Sequence, residues 1–453
     1  MPLKILIIGA GVCGPAFATL LRRADPSAST YEITIIERAA KLRETGLQVD
    51  LRSHGIPIVR KMGLMDAIRK RAVPEQGVSF VDARGRSFAT FGKNDSGHGA
   101  QTMTSEYEVM RGDLVDVLYR ASLDWSTDKD DDDEEKRQEA PAVSDVVSSG
   151  NVRYEFGVTV TGLSQHDADA VDVTFSDGRT ARYDLVVGAD GQASRTRRMI
   201  LGGKDASDAC FRPLGIYTAL YLVPRAPRDD SWMTVHMMPG QRGVFTRSAD
   251  EKAPTQVYMA IQTSRRRNAY GVYTAMAGSL AAQKDAFVRA FADQHGWRVD
   301  ELVDALKNKT RDEDFYATEI GQVRCEKLAV GRVALLGDAG YCPSPITGMG
   351  TTLSLTGAYI LAGELARHGG RDGVPEALTS YARGVRPFVD EAQKILPGFP
   401  RIVYAQTRWG LWILTSVIWL LAKLRIVDLL ARLFSENSGR VKIPEYPELN
   451  LRS

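Results

Sequence analysis

Three short stretches of this sequence hold residues whose types and spacing could do chemistry. The first is GAGVCG, where Gly9, Gly11 and Gly14 directly follow the apolar run LKILII. At that spacing the first glycine permits a tight turn and the second lets backbone approach a pyrophosphate. The third lets a following helix pack closely on the strand, and the helix N-terminus attracts phosphate. Glu37 closes the next β-branched run, EITIIE. A carboxylate there accepts hydrogen bonds from both hydroxyls of an adenosine ribose and repels a 2′-phosphate, which favours bound NAD or FAD over NADP. The second stretch, GADGQASRTRR, contains Asp190, Ser194 and Arg197. The third, LLGDAGYCPSPITGMGTT, sets Asp338 at a strand end and Pro345, Gly348, Met349 and Gly350 ahead of a helix.

Several elements must position these residues. Leu3–Ile8 reads as a buried strand, Gly14–Arg23 as a helix and Glu32–Ile36 as a second strand, a βαβ unit that implies a parallel sheet. Residues 57–72 read as helix, as does the run from Met110, where Leu114, Val117 and Leu118 recur at helical spacing. Asp128 to Gly150 is acidic and of low complexity; its dense like charge cannot offset ordering entropy, so a disordered surface insertion is expected. Short alternating strands follow, with a hairpin turn at Ser176–Gly178. From about Phe211 to Thr263 the pattern is again β, and it predicts a half-buried antiparallel sheet. A helical stretch spans about Ser279 to Lys309; VALLGDAG then returns the chain to the first sheet, and a further helix follows.

Composition narrows the function classes. With 58 basic and 56 acidic residues the net charge is +2, so no global field calls for nucleic acid. Four scattered cysteines, none in a C-x-x-C pair, indicate neither a disulfide framework nor a zinc site and suit a reducing, cytoplasmic compartment; no metal is expected. At 453 residues the chain is long enough for two or three domains. The uncharged run Trp409 to Ala422 falls short of the roughly 20 residues needed to cross a bilayer, and a second apolar run spans Leu424 to Phe434. Two readings stay open for these helices: packing on the protein or on a partner subunit, and peripheral docking on a membrane through Trp409, Trp412 and Trp419 with their basic flanks.

Taken in order, the glycine fingerprint, G-A-D-G-x-x-S-x-x-R and G-D-A-x(5)-P-x-P-x-x-G-x-G resemble the class A flavoprotein monooxygenases of the p-hydroxybenzoate hydroxylase type, over roughly residues 1–390. Around KLRETGLQVDLRSHGIPIVRKMGL the chain is most similar to the tetracycline-inactivating subgroup. The resemblance implies a Rossmann-like α/β FAD-binding domain with a parallel sheet (residues 1–77, 101–202 and 320–395), a mainly antiparallel β substrate domain (78–100 and 203–319) and a C-terminal helical extension (396–453). It further implies that Gly9, Gly11, Gly14, Glu37, Arg38, Asp190, Asp338, Pro345, Gly348, Met349 and Gly350 contact cofactor. By the same resemblance Asp338 holds the ribityl chain, Arg111 the FAD phosphate or ribityl region, Asp50 the FAD, and Arg43 the NADPH. The helix opened by Gly348 and Gly350 would face its bare N–H groups toward the flavin's pyrimidine edge, where negative charge develops on reduction. Arg197 has an alternative reading, pairing with acidic neighbours. The chain departs from the family's pattern at Gly340-Tyr341, Thr352 and Gly357, where Ala-His, Asn and Asp are common.

The implied chemistry is that of the cofactor. A hydride from NADPH or NADH, bound transiently because no second glycine fingerprint is present, reduces FAD. The reduced flavin takes up O2 at C4a, and the hydroperoxide passes one oxygen to an aromatic or polyketide-like small molecule, by hydroxylation or epoxidation, as in secondary metabolism. No nucleophile–base pair is required, and no catalytic side chain is assigned. Tyr217, His236, Met238 and Phe245 are candidate substrate contacts on the antiparallel sheet. Competing readings are a flavin-dependent reductase or halogenase on the same scaffold, although the halogenase W-x-W-x-I-P stretch is absent, and a non-catalytic accessory protein at a membrane.

Overall fold

In a computed structural model, residues 1–43, 46–93, 107–127, 146–227, 229–250, 253–395, 398–425 and 441–451 are described. The first layer is a seven-stranded sheet in the spatial order 329–330, 333–335, 185–188, 3–8, 31–37, 152–156, 146–149. The five inner strands are parallel and each edge strand is antiparallel to its neighbour. Strand alternation divides Leu3–Ile8 between two cores. Leu3, Ile5 and Ile7 face the helices Cys13–Ala24, Arg111–Leu123 and Gly350–His368. Leu6 and Ile8 face a small three-stranded antiparallel sheet, 160–164, 171–175 and 180–183. The turn Ser176–Gly178 makes the expected hairpin between the last two of these strands.

A second seven-stranded sheet runs in the order 316–323, 211–223, 255–262, 242–248, 232–238, 77–81, 87–92. It is antiparallel except where 232–238 meets 77–81 in parallel. The helices Leu280–Phe291 and Val299–Asn308 bury Phe287, Phe291, Leu302 and Leu306 against one face. Strand Tyr316–Val323 lies wholly in this sheet, across the boundary expected at residue 320. A two-stranded ribbon, Gln48–Asp50 with Glu108–Met110, lies between the two layers in sequence and pairs Asp50 opposite Glu108.

Some expectations are corrected. The helix expected over 57–72 is two, Gly55–Lys61 and Met65–Arg69, interrupted at Gly63, whose φ of 66° is left-handed. Within the acidic insertion expected to be disordered, Val146–Ser149 is an edge strand on Val152–Phe156, while 128–145 lie outside the described residues. Most of the second apolar run, 426–434, and part of the 78–100 segment, 94–100, also lie outside them. Helix Arg408–Lys423 packs Leu411, Leu414, Ile418 and Leu421 near Phe88 and Met233 of the second sheet. The chain then returns at 441–449 to the helices of the first layer, where Tyr446 meets Tyr359 edge to face and donates to the Glu364 carboxylate at 2.6 Å.

Candidate functional site

The three glycine-bearing turns meet. Gly9 has φ 115°, and a Cβ there would lie 2.6 Å from the Ala189 carbonyl oxygen, so the first turn touches the second motif. A Cβ on Gly337 would lie 2.2 Å from Cys13 Sγ, so the first turn also touches the third. Real Cβ atoms cannot approach so closely, and both positions need glycine. Behind the turn, Gly14 lies against the Gly9 carbonyl and lets the helix seat on its strand.

Between these turns and the second sheet lies a cavity of about 1690 Å³. That exceeds the roughly 300–1000 Å³ of an ordinary small-molecule site and leaves room for a dinucleotide and a second molecule. Its walls include Gly9, Gly11, Glu37, Arg38, Arg43, Asp50, Arg111, Asp190, Asp338, Pro345, Gly348 and Gly350. Of the cofactor residues expected from the sequence, Gly14 and Met349 are the two that do not line it; the first packs helix on strand and the second caps the helix that begins at Gly350.

Each polar group is held by local structure. Glu37 accepts from the Ala10 and Ala39 N–H groups at 3.1 and 3.0 Å, and Arg43 Nε lies 3.9 Å away. The Arg111 guanidinium reaches to 3.4 Å from where a Gly11 Cβ would stand. Asp338 is half-buried on the cavity wall; burial pushes its carboxyl above the usual range, while the Cys342 thiol and the charge of Arg111 pull it back. Asp50 Oδ2 accepts from Arg52 Nη2 at 2.7 Å and Nε at 3.0 Å. The Thr352 hydroxyl clamps this segment to the helix, accepting from Arg52 N at 3.0 Å and donating to Arg52 O at 2.7 Å. The helix Gly350–His368 leaves its first N–H groups without intrahelical partners, and Gly350 and Thr351 are on the cavity wall.

The second motif is structural as well as cavity-lining. The Asp190 carboxylate accepts from Ser194 Oγ, Arg195 N and Thr196 N at 2.5, 2.8 and 3.0 Å, which stabilises the helix Arg195–Ile200 at its start. Among the described residues Arg197 pairs with no acid; it donates to Ala339 O, Gln192 O and Ser207 Oγ, tying the second motif to the third.

The four substrate candidates lie elsewhere. Tyr217 and Met238 belong to the core under the helices 280–291 and 299–308. His236 is buried, its Nδ1 at 3.2 Å from Val81 O and its ring 5.7 Å from that of Trp297; burial holds it below the usual histidine range. Phe245 packs by Val403. None of the four lines the cavity. Leu220, Tyr221, Leu222, Arg247, Gln256 and Glu319 do. Tyr221 shares the strand parity of Tyr217, and Glu319 is the cross-strand partner of Tyr217, so position along the strand and not strand face separates lining from non-lining residues. Glu319 keeps one link to the earlier candidates, accepting from the Tyr217 hydroxyl at 2.6 Å.

Similarity to known proteins follows the same residues. A family model described as an FAD binding domain matches residues 2–394. The chain is 37% identical to the FAD-dependent monooxygenase asL6 of Sarocladium schorii over the whole of both chains. It is 36% identical to the flavin-dependent monooxygenase eupH of Phoma sp, covering 90% of this chain and 89% of that one. Among solved structures, tetracycline destructase Tet(55) superposes with a TM-score of 0.71 at 27% identity, covering 98% of this chain and 99% of that one.

Proposed function

Since this chain belongs to the FAD-binding-domain family and is a FAD-dependent monooxygenase, we propose that it hydroxylates or epoxidises an aromatic or polyketide-like molecule in the cavity beneath the antiparallel sheet. One observation carries the reading: all three sequence motifs open onto a single cavity, and the wall opposite them is the second sheet. The name of tetracycline destructase Tet(55) attaches a polycyclic polyketide to this architecture, and the wall of Leu220, Leu222 and Val257 offers apolar surface for such a molecule.

The residues fit FAD. Glu37 suits the adenosine ribose, while Gly9, Gly11 and Arg111 surround the place for a pyrophosphate, where a cation offsets two phosphate charges. Asp338, half-buried and without an ion pair among the described residues, offers an acceptor to ribityl hydroxyls. The helix beginning at Gly350 presents N–H groups to the ring's polar edge. Bound FAD supplies hydride acceptance from NAD(P)H and activation of O2; the chain orients both reactants and excludes water. Arg43 lies on the cavity wall beside Glu37, which supports reading it as a contact for the transient NADPH or NADH.

The test is spectroscopic and then kinetic. Purified protein should carry a flavin spectrum that NAD(P)H bleaches, and phenols, quinones or polyketides should stimulate matched NAD(P)H oxidation and oxygen uptake. Flavin that bleaches without substrate-dependent oxygen uptake makes the chain a reductase and overturns this reading.

A second reading concerns place. No helix among the described residues is long and apolar enough to cross a membrane. Helix Arg408–Lys423 nevertheless exposes Trp409, Trp412, Ile413, Val417 and Leu420, with exposed Arg401, Arg408, Lys423 and Arg425 at its ends. That combination suits peripheral docking on an anionic lipid surface.

A further inference from the structure

Where the ribbon Gln48–Asp50 and Glu108–Met110 meets the second sheet, the structure buries more acid than it neutralises. Glu75 and Glu108 are 3% and 2% exposed. Arg247, from strand 242–248, forks onto Glu75, with Nε at 2.9 Å and Nη2 at 2.7 Å, and its Nη2 also touches the Glu108 carboxyl. The Gln48 amide donates to Glu75 at 3.2 Å and contacts Glu108. Asp50, opposite Glu108 in the ribbon, has its own guanidinium in Arg52 on one oxygen. Its other oxygen, Oδ1, is buried without a partner among the described residues. Tyr258, from strand 255–262, contributes a phenol to the same cluster.

Three carboxyl groups thus share two guanidiniums, Arg52 and Arg247. Neighbouring buried carboxyls cannot both ionise, so one proton stays with the set. Glu75 has a two-point grip on Arg247 and Asp50 a two-point grip on Arg52, which leaves Glu108 as its holder. A protonated Glu108 donates to the facing Asp50 carboxylate, the group that carries the unpartnered Oδ1. Burial is the largest force on Glu108, lifting its carboxyl to about 9 against the opposing charge of Arg247.

Asp50 gives this proton an exit. It lines the cavity, and a Cβ on Gly348 would stand 3.5 Å from its Oδ2. Glu108 does not line the cavity. Monooxygenation needs such a supply: substrate C–H, O2, NAD(P)H and one proton give C–OH, NAD(P)⁺ and water. The hydride brings two electrons, the substrate the other two, and the proton must come from outside the reactants. We propose that Glu108 is the internal proton store of this cavity, passing its proton through the Asp50 carboxylate and recovering one from solvent after turnover. The inference rests on the monooxygenase reading above. Glu108 acts through Asp50 and touches no reactant.

Infrared spectroscopy of the flavin-loaded protein tests the store without turnover. A protonated carboxyl band, shifted in D2O, should persist at neutral pH, vanish with a midpoint near 9, and be missing in Glu108→Gln. Coupled to it, the fraction of NAD(P)H oxidation that yields product should fall on the alkaline side in the wild type. In Glu108→Gln that fraction should be about tenfold lower and flat with pH, and Glu108→Asp should restore the limb. A wild type with no titrating band, or a Glu108→Gln variant with the wild-type alkaline limb, overturns the proposal. The wild-type titration needs no variant to fold. A chain that holds the proton but inserts no oxygen overturns the monooxygenase reading and the donor role together. A working monooxygenase without the band overturns the donor role alone.

Discussion

Asp338, half-buried, and Glu108, fully buried, both have carboxyls pushed upward by burial, and their removal should have opposite consequences for ligand and fold. Asp338→Ala deletes a half-buried acceptor on the cavity wall that the protein alone leaves short of partners. Flavin affinity should fall by roughly tenfold to a hundredfold, the worth of about 1.5–3 kcal/mol for hydrogen bonds to a charged group, while the flavin-free protein melts no lower than wild type. Flavin titration of the stripped protein, with its melting curve, separates the two. For Glu108 the sign follows from proton linkage. Its folded value of about 9 exceeds the ordinary 4.5, so the folded chain binds more protons than the unfolded one across that window. The associated stability is complete below about 4.5 and lost as pH rises through about 9. Melting temperature should therefore drop more steeply between those limits in the wild type than in Glu108→Gln. The sequence made Asp338 legible because a strand end and a glycine-opened helix are local patterns. Glu75, Glu108 and Arg247 were not, since a cluster drawn from remote segments leaves no local signature. The wall contributed by the second sheet was missed differently: period two makes Tyr217 and Tyr221 equivalent, yet of the two Tyr221 alone lines the cavity, because position along the strand decides it.

Helices and strands explain why this chain departs from its family's pattern. Tyr341 stands where histidine is common, and its hydroxyl lies 3.0 Å from that of Tyr381, which donates to Leu335 O at 2.8 Å. A Cβ on Gly357, where aspartate is frequent, would lie 1.9 Å from the Tyr341 hydroxyl. The longer ring at one position and the missing side chain at the other are thus one packing solution between the strand-end turn and helix Gly350–His368. Gly357→Ala alone should cost about 1–3 kcal/mol by overpacking. Tyr341→Phe removes the obstructing oxygen and about 1 kcal/mol of hydrogen bonding. In the double variant the alanine should be largely tolerated, giving a coupling of about 1 kcal/mol or more in denaturant unfolding. Additive losses would mean that the two residues do not share this space. Each departure is visible in the sequence; their contact is not, because it forms only when the helix packs back on the turn.

At the scale of the molecule, the second sheet is covered on one face by its own helices, and helix Arg408–Lys423 packs beside its strands 87–92 and 232–238. This helix is apolar on both sides, so hydropathy alone could not tell an inner face from an outer one. The structure distinguishes them: Leu411, Leu414, Ile418 and Leu421 turn inward, while Trp409 and Trp412 remain 76% and 62% exposed. So wide an apolar face is unusual on a protein that remains alone in water, and its basic ends match an anionic lipid surface better than another copy of this chain, which would bring like charges together. Docking there would set the second sheet against the bilayer, where apolar aromatic molecules concentrate. The full chain should co-sediment with vesicles of mixed phosphatidylcholine and phosphatidylglycerol, less with phosphatidylcholine alone, and less again in high salt. Replacing Trp409 and Trp412 by serine should weaken binding by at least about tenfold, because each ring loses its apolar transfer, while flavin content stays unchanged. Concentration-dependent self-association without vesicle binding would assign this face to a second copy of the chain and refute the lipid reading.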